Sequence, residues 1–213
     1  MMILHHLEQS RSIRIIWALE ELELEYEVKY YKRKPNFSAP ESLKAIHPLG
    51  KAPILTDGDL SIAESAVILD YLQSQYDTEQ QFKPSEPQDV LQYNYWMHYA
   101  EGSLMPLLVM TLVMSKVSEQ APLLVKPIAK KVAQGVQAGF IQPRLSDHIA
   151  FLEQHFKQHD YVAGAFSFSD IQMSFPILAM QQRLKGQYSA INAYAERLQQ
   201  RPAYSRAKAK AEI

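Results

Sequence analysis

A short segment near the N-terminus, "EQSRSIR", combines hydroxyl groups with positive charge where a predicted strand gives way to a helix. Ser10 lies at this transition, and Ser12 falls in the first turn of the helix. Arg11 and Arg14 add cations nearby. A hydroxyl at a helix N-terminus can donate a hydrogen bond to a thiolate, and the helix dipole favours the same negative charge. The alternative is that these serines only cap the helix.

Holding a thiolate at neutral pH requires a modest free energy. An unperturbed thiol titrates near about 8.5, and lowering its pKa by two units takes about 2.7 kcal/mol. One hydrogen bond to a charged group contributes roughly 1.5–3 kcal/mol, and a helix terminus contributes about 0.3–1 kcal/mol. Because the chain contains no cysteine, the thiol must arrive with a ligand.

A second pair of functional groups, Glu64 and Ser65, stands at the entry to another predicted helix. Ser65 can donate to a carboxylate, and Glu64 can receive an ammonium group, so the pair suits an amino-acid head group. The alternative is that both residues cap the helix and do nothing more.

Pro53 interrupts a run that otherwise reads as a strand. A proline lacks the N–H that a central strand needs, so Pro53 either starts an edge strand or follows a cis bond from Ala52. A cis bond would turn the chain and leave neighbouring backbone groups free to pair with an extended peptide. Lys51 adds a cation just before this point.

The predicted secondary structure differs between the two parts of the chain. For the first part, the residue pattern predicts the order βαβ, short helix, ββα, with a parallel crossover first and an Asp57–Gly58 hairpin later. A polar segment with two prolines follows, and beyond it only helices are predicted, with interruptions near Gly102, Pro106 and Pro143. Residues Ser167 and Asp170 form a capping box before one of these helices. We therefore expect an α/β domain at 1–76, a linker at 77–88 and an all-helical domain at 89–213.

The composition excludes several classes of function. A formal net charge of −1 gives no electrostatic reason to expect a nucleic-acid partner. No apolar run approaches the length of about 20 residues that spans a bilayer, and no signal peptide is recognised. The absence of cysteine removes disulfides and thiolate metal sites, and no metal site is expected. We therefore expect a cytoplasmic protein without membrane partners.

Taken together and in order, these segments resemble the soluble glutathione S-transferase superfamily over essentially the whole chain. "SRSIRIIWALEEL" resembles the first helix and its preceding catalytic loop, and "HPLGKAPIL" resembles the stretch around the cis-proline. "AESAVILDYL" is similar to the glutathione-binding third helix, and "GAFSFSDI" to the capping box of the second domain. The resemblance is strongest to bacterial and fungal members with "SRS" near the N-terminus.

The resemblance implies a thioredoxin-like first domain, an all-helical second domain and a homodimer. Glutathione would be the co-substrate, with no metal. Ala52 and Pro53 would present backbone groups to its cysteinyl part, Glu64 and Ser65 would hold its γ-glutamyl end, and Lys51 would approach its glycyl carboxylate.

The catalytic group implied by the resemblance is Ser10, four residues before Arg14. Gln9, five residues before it, and Ser12 are the alternatives, and with Gln9 the enzyme would rely on backbone N–H groups. A tyrosine mechanism is rejected because strand one ends in His6 and Leu7, and cysteine-type classes are excluded by composition.

The helical half would supply the pocket for a hydrophobic electrophile, and Tyr99 and Met105 are its candidates. The expected activity is conjugation of glutathione to such electrophiles, or glutathione-dependent reduction of peroxides. A lyase or isomerase role is not separated from these by sequence. The alternative from another class is a non-catalytic glutathione transferase-like binding or regulatory module.

Overall fold

A computed structural model of the chain describes residues 1–36, 38–183 and 188–212. Its N-terminal part has the predicted order of elements. They are β1 (Met2–Leu7), α1 (Ile13–Glu21), β2 (Tyr26–Tyr31), α2 (Glu41–Lys44), β3 (Ile54–Asp57), β4 (Leu60–Ala63) and α3 (Ser65–Tyr76).

These strands form one four-stranded sheet in the order β2-β1-β3-β4. Strand β1 pairs in parallel with β2 and antiparallel with β3, and β3 pairs antiparallel with β4. This mixed sheet with its helices confirms the thioredoxin-like prediction. The hairpin loop differs in detail: Asp57 pairs with Leu60, so the loop residues are Gly58 and Asp59. Gly58 supplies the positive φ, +57°, that a tight turn needs.

The remainder of the described chain is helical, as predicted. Two π-helical turns, Ala100–Leu104 and Gln137–Ile141, interrupt the helices at the expected places, directly before turns that contain Pro106 and Pro143, residues that cannot donate a helical hydrogen bond. The helices are α4 (Pro87–Tyr99), α5 (Met105–Gln120), α6 (Lys126–Val136), α7 (Gln142–Gln158), α8 (Phe168–Arg183), α9 (Ser189–Gln199) and α10 (Pro202–Ala211).

The continuous helical run Pro87–Gln120 is apolar and long enough to cross a membrane, judged by length and composition alone. The sequence-based expectation, which found no apolar run of about 20 residues, did not anticipate such a helix. Because core helices of globular proteins meet the same criterion, this run is weak evidence for a membrane span. Tyr93 and Trp96 of this run are fully buried in the protein core.

Helix α1 occupies the centre of the molecule. Ile15, Ile16 and Leu19 are fully buried, and Trp17 packs against Phe166 and Tyr204 of the helical half. A helix that is buried on nearly all sides must lie between two layers. Accordingly, one hydrophobic cluster extends from the sheet through α1 into α8 and α10.

Hydrogen bonds and ring stacking hold residues 77–82, the first part of the segment between α3 and α4. The Asp77 carboxylate accepts the backbone N–H groups of Gln81 and Phe82. The Phe82 ring stacks on Phe168, and its carbonyl accepts the Phe168 N–H. This polar segment is therefore attached to the helical half, while the division at 76 and 88 into domains stays a prediction.

At the start of α8, the fully buried Asp170 carboxylate makes the acidic half of the predicted capping box, while the Ser167 hydroxyl donates to Asp170 and lies 2.7 Å from Ser169 Oγ. Asp170 accepts the N–H of Ser167 at 2.9 Å, the N–H of Val162 at 3.0 Å and the hydroxyl of Tyr194 at 2.9 Å. Burial raises the pKa of Asp170 to about 6, against the effect of these donors. The carboxylate joins the loop before α8 to α8 and α9.

Replacing this carboxylate tests its structural role. Asp170→Ala leaves three buried donors without an acceptor, and each such group costs about 1–3 kcal/mol. We expect the free energy of unfolding in urea to fall by about 3 kcal/mol or more. Asp147→Ala, at an exposed position of α7, is the control and should change stability by less than about 0.5 kcal/mol. A loss equal to the control's would contradict the assignment.

Candidate active site

A cavity of about 570 Å³ opens between the β1–α1 loop, the approach to β3 and the start of α3. One residue of the helical half, Glu101 from the first π-helical turn, reaches its wall. The structure brings together most of the residues predicted from sequence around this cavity. Those on its wall are Gln9, Ser10, Lys51, Ala52, Pro53, Glu64 and Ser65.

The Ala52–Pro53 peptide bond is cis, which decides between the two readings of Pro53. The proline stands directly before β3, so its missing N–H removes no hydrogen bond from the sheet. Both residues of the cis bond belong to the cavity wall.

Helix capping does not explain the conformation and contacts of Glu64 and Ser65 at the start of α3. Glu64 holds the N-cap position with φ of +71° and ψ of 122°, a conformation that costs a non-glycine residue about 1–3 kcal/mol. Its side chain makes no capping hydrogen bond and is exposed. The hydroxyl of Ser65, which is nearly buried, accepts a hydrogen bond from Arg14 Nη1 at 3.1 Å. Such strain, held without a local benefit, is typical of functional sites.

Ser10 is the hydroxyl at the cavity. Its Oγ accepts the N–H of Ser12 at 3.3 Å and lies 2.6 Å from Ser12 Oγ. Ser12 is fully buried behind it, and Ser12 Oγ lies 2.8 Å from Nδ1 of His6. Ser12 holds the N-cap position of α1, but its side chain makes no capping bond. Ser12 therefore caps the helix by position, as expected, but its hydroxyl bonds to Ser10 and His6 instead.

The fully buried guanidinium of Arg14 connects the start of α3 with Glu101 of the helical half. Arg14 Nη1 donates to Ser65 Oγ and, at 2.7 Å, to Glu101 Oε1. Arg11 Nε donates to the same carboxylate oxygen at 2.8 Å, and both guanidinium groups lie 5.3 Å from the ring centre of Phe175. These contacts join positions 87 and 90 residues apart, and nothing in the sequence signals the pairing.

The pKa values of Arg14 and Glu101 are both lowered, but for different reasons. Burial lowers the pKa of Arg14 to about 10, with Glu101 acting in the other direction, so Arg14 stays cationic at neutral pH. Burial alone would raise the pKa of Glu101, but Arg14 and Arg11 hold it below its usual value. The carboxylate of Glu101 is therefore ionised. Arg14, which donates to Ser65 at the start of α3, thus belongs to a charged pair.

The cavity wall carries charges of both signs. Its acids are Glu64 and Glu101, of which Glu101 is paired with Arg11 and Arg14, and its other cations are Lys44, Lys51 and Arg33. A long ligand with an ammonium group at one end and a carboxylate at the other would match this distribution.

Tyr99 and Met105, the candidates for an electrophile pocket, do not lie on the cavity wall. Both are nearly fully buried. The Tyr99 hydroxyl lies 2.6 Å from Nδ1 of His148, and its ring packs against Phe151. Core packing accounts for both residues.

The pair of Arg14 and Glu101 yields a stability prediction. Glu101→Gln leaves the buried guanidinium without its charge partner, and breaking a buried pair in this way costs about 3–5 kcal/mol. Because Glu101 is about one-third exposed, we expect a loss near the lower end, measured by urea unfolding.

Glu119→Gln is the matched control. Glu119 forms a surface pair with Lys116, in which both side chains are about half exposed. Such pairs contribute about 0–1 kcal/mol. Equal losses in the two variants would contradict the importance given to the buried pair.

Comparison with known proteins is consistent with this geometry. A family model described as the N-terminal domain of glutathione S-transferase matches residues 1–74. "Glutathione S-transferase 3" of Schizosaccharomyces pombe is 36% identical over 209 residues, covering 95% of this chain and 85% of that protein. "Glutathione S-transferase 1" of Saccharomyces cerevisiae is 33% identical over 219 residues, covering 97% of this chain and 94% of that protein.

Among solved structures, a glutathione S-transferase from Actinobacillus pleuropneumoniae superposes with a TM-score of 0.80. It is 34% identical to this chain, and the match covers 100% of this chain and 93% of the other. With full-length relatives above 30% identity and the same fold and cavity, the chain belongs to the glutathione S-transferase family.

Proposed function

We propose that this protein joins the thiol of glutathione to small hydrophobic electrophiles, with Ser10 as the hydroxyl that stabilises the thiolate. The observation that carries the proposal is the single cavity that unites Ser10, the cis Ala52–Pro53 peptide and the pair Glu64–Ser65. Family membership supports the same enzyme class.

Each part of the tripeptide would have a partner on the cavity wall. The ammonium group of the γ-glutamyl end would pair with Glu64, and its carboxylate would accept from Ser65. The backbone groups beside the cis bond would pair with the cysteinyl residue, as an added strand pairs with a sheet edge. Lys51, an exposed cation on the cavity wall, would meet the glycyl carboxylate.

Among the three candidates for the catalytic group, burial favours Ser10. Ser12 is fully buried and cannot reach a ligand without moving Ser10. Gln9 also belongs to the wall, with φ of +50°, but its side-chain amide is a weaker hydrogen-bond donor to an anion than a hydroxyl in a polarised chain. The same thiolate would attack an oxygen of a peroxide, so peroxide reduction belongs to the test.

We also propose a homodimer in the cytoplasm that acts in detoxification and has no membrane, metal or nucleic-acid partner. Support for the dimer comes from α5, where several large apolar side chains are exposed in the single chain. These are Val109, Leu112, Val113 and Val117.

Calorimetry and a substrate panel test the function directly. We expect glutathione to bind at millimolar concentrations or below, and conjugation or peroxide reduction to follow with some members of the panel. No binding at millimolar glutathione would contradict the proposal. Binding without activity toward any electrophile or peroxide would favour a non-catalytic module.

Two serine variants separate binding from chemistry. Ser65→Ala removes one hydrogen bond to the ligand, worth about 1–1.5 kcal/mol, so the Kd for glutathione should rise roughly 5- to 10-fold. Ser10→Ala removes a bond to the thiolate, worth about 1.5–3 kcal/mol, so kcat should fall roughly 10- to 150-fold with little change in Kd.

Ser146→Ala is the control, because Ser146 is exposed on α7 and donates only to the Gln142 carbonyl. Both constants should stay within twofold of the unmodified protein. An equal loss of glutathione affinity in Ser10→Ala and Ser65→Ala would overturn this division of roles.

A further inference from the structure

A chain of three polar groups leads from the cavity into the protein. Ser10 Oγ lies 2.6 Å from Ser12 Oγ, which lies 2.8 Å from Nδ1 of His6. Only Ser10 belongs to the cavity wall, while Ser12 is fully buried and His6 is 3% exposed. Hydroxyl groups at such distances both donate and accept, so they can pass a proton along the chain.

The surroundings of His6 are almost free of charge. Its ring meets the edge of Tyr30 on β2, with the ring centres 5.7 Å apart. The Tyr30 hydroxyl turns away to the Lys210 carbonyl, and the Lys210 ammonium turns to Glu20. Burial lowers the pKa of His6, and the Ala211 carbonyl at the end of α10 opposes this with a smaller effect. His6 is therefore neutral at pH 7, with a nitrogen able to take a proton.

The fold also favours the charges that a transfer along this chain would create. Carbonyl groups at the C-terminal end of α10 favour a cation near His6. The N-terminus of α1, together with Arg11 and Arg14, favours an anion near Ser10. A negative charge in the cavity and a positive charge on His6 would each lie where the backbone dipoles stabilise it.

We propose that Ser10, Ser12 and His6 form a proton relay that takes the thiol proton of bound glutathione into the protein. The S–H bond breaks as a new O–H bond forms on Ser10, the former Ser10 proton passes to Ser12, and the former Ser12 proton passes to Nδ1 of His6. A thiolate and an imidazolium result, and the hydroxyl of Ser10 now donates to the sulfur. When the sulfur attacks, the proton returns to the leaving group or the solvent.

His6 is thus a positioning residue that acts through two hydroxyls and does not touch the substrate. The inference rests on the proposed function, because it needs glutathione with its sulfur at Ser10. It goes further by saying where the proton of the thiol is kept.

Nitrogen NMR of histidine in the ¹⁵N-labelled protein tests the relay at pH 7. We expect the His6 signals to change from a neutral imidazole to an imidazolium when glutathione is added, in step with the ultraviolet absorbance of the thiolate. His5 is the internal control: it is also buried on β1, but its Nδ1 lies 2.8 Å from the Tyr31 hydroxyl, away from Ser12. The His5 signals should remain neutral.

Ser12→Ala interrupts the chain without altering the cavity wall. In this variant glutathione should still bind, while His6 stays neutral. Thiolate absorbance in the unmodified protein together with a neutral His6 would overturn the relay and leave the proposed function standing. Absence of glutathione binding would overturn both.

Kinetics give a second readout. His6→Asn keeps a hydrogen-bond acceptor near the position of Nδ1 but removes the basic nitrogen, so kcat/KM at pH 6.5 should fall at least 10-fold and recover as pH rises. The Kd for glutathione should stay within twofold, and the matched variant His5→Asn should show the unmodified pH profile. A uniform loss at every pH in His6→Asn would indicate a structural role and contradict the relay.

Discussion

The buried guanidinium of Arg14 is the interaction on which the candidate site depends. It extends from α1, the helix at the centre of the core, to the hydroxyl of Ser65 and the carboxylate of Glu101. These partners come from the start of α3 and from the π-helical turn after α4. A cation that is entirely removed from water must keep such partners, because leaving one unpaired costs several kcal/mol. The charge thereby holds three distant segments at the cavity in one geometry.

The electrostatics of the site follow from this arrangement. Arg11 and Arg14 lie beside the N-terminus of α1, so the region around Ser10 favours an anion. Glu101 pairs with both cations and remains ionised, since they hold its pKa low, and one net positive charge is left. Positive potential is thus available to a ligand thiolate without an uncompensated buried charge. Because core packing places α1 between the sheet and the helical half, Arg14 of α1 can reach both Ser65 and Glu101.

Local patterns predicted most of the fold. Period-two and period-3.6 spacing located the strands and helices, and the prolines marked the π-helical turns near Gly102 and Pro143. Adjacent groups such as Glu64 and Ser65 were also recognisable, because their chemistry lies within a few residues. The link from Arg14 to Glu101 spans 87 residues, and no local pattern encodes it. Tyr99, placed in a pocket by residue type, instead lies in the core, because packing between helices decides which face is buried.

The most direct test of the account is a crystal structure of this protein with glutathione bound. The account predicts the tripeptide extended along the cis Ala52–Pro53 peptide, with its γ-glutamyl end at Ser65 and its sulfur within hydrogen-bond distance of Ser10 Oγ. A sulfur bound by backbone N–H groups alone, with Ser10 turned away, would contradict the role of that hydroxyl. Glutathione bound outside this cavity would contradict the account as a whole.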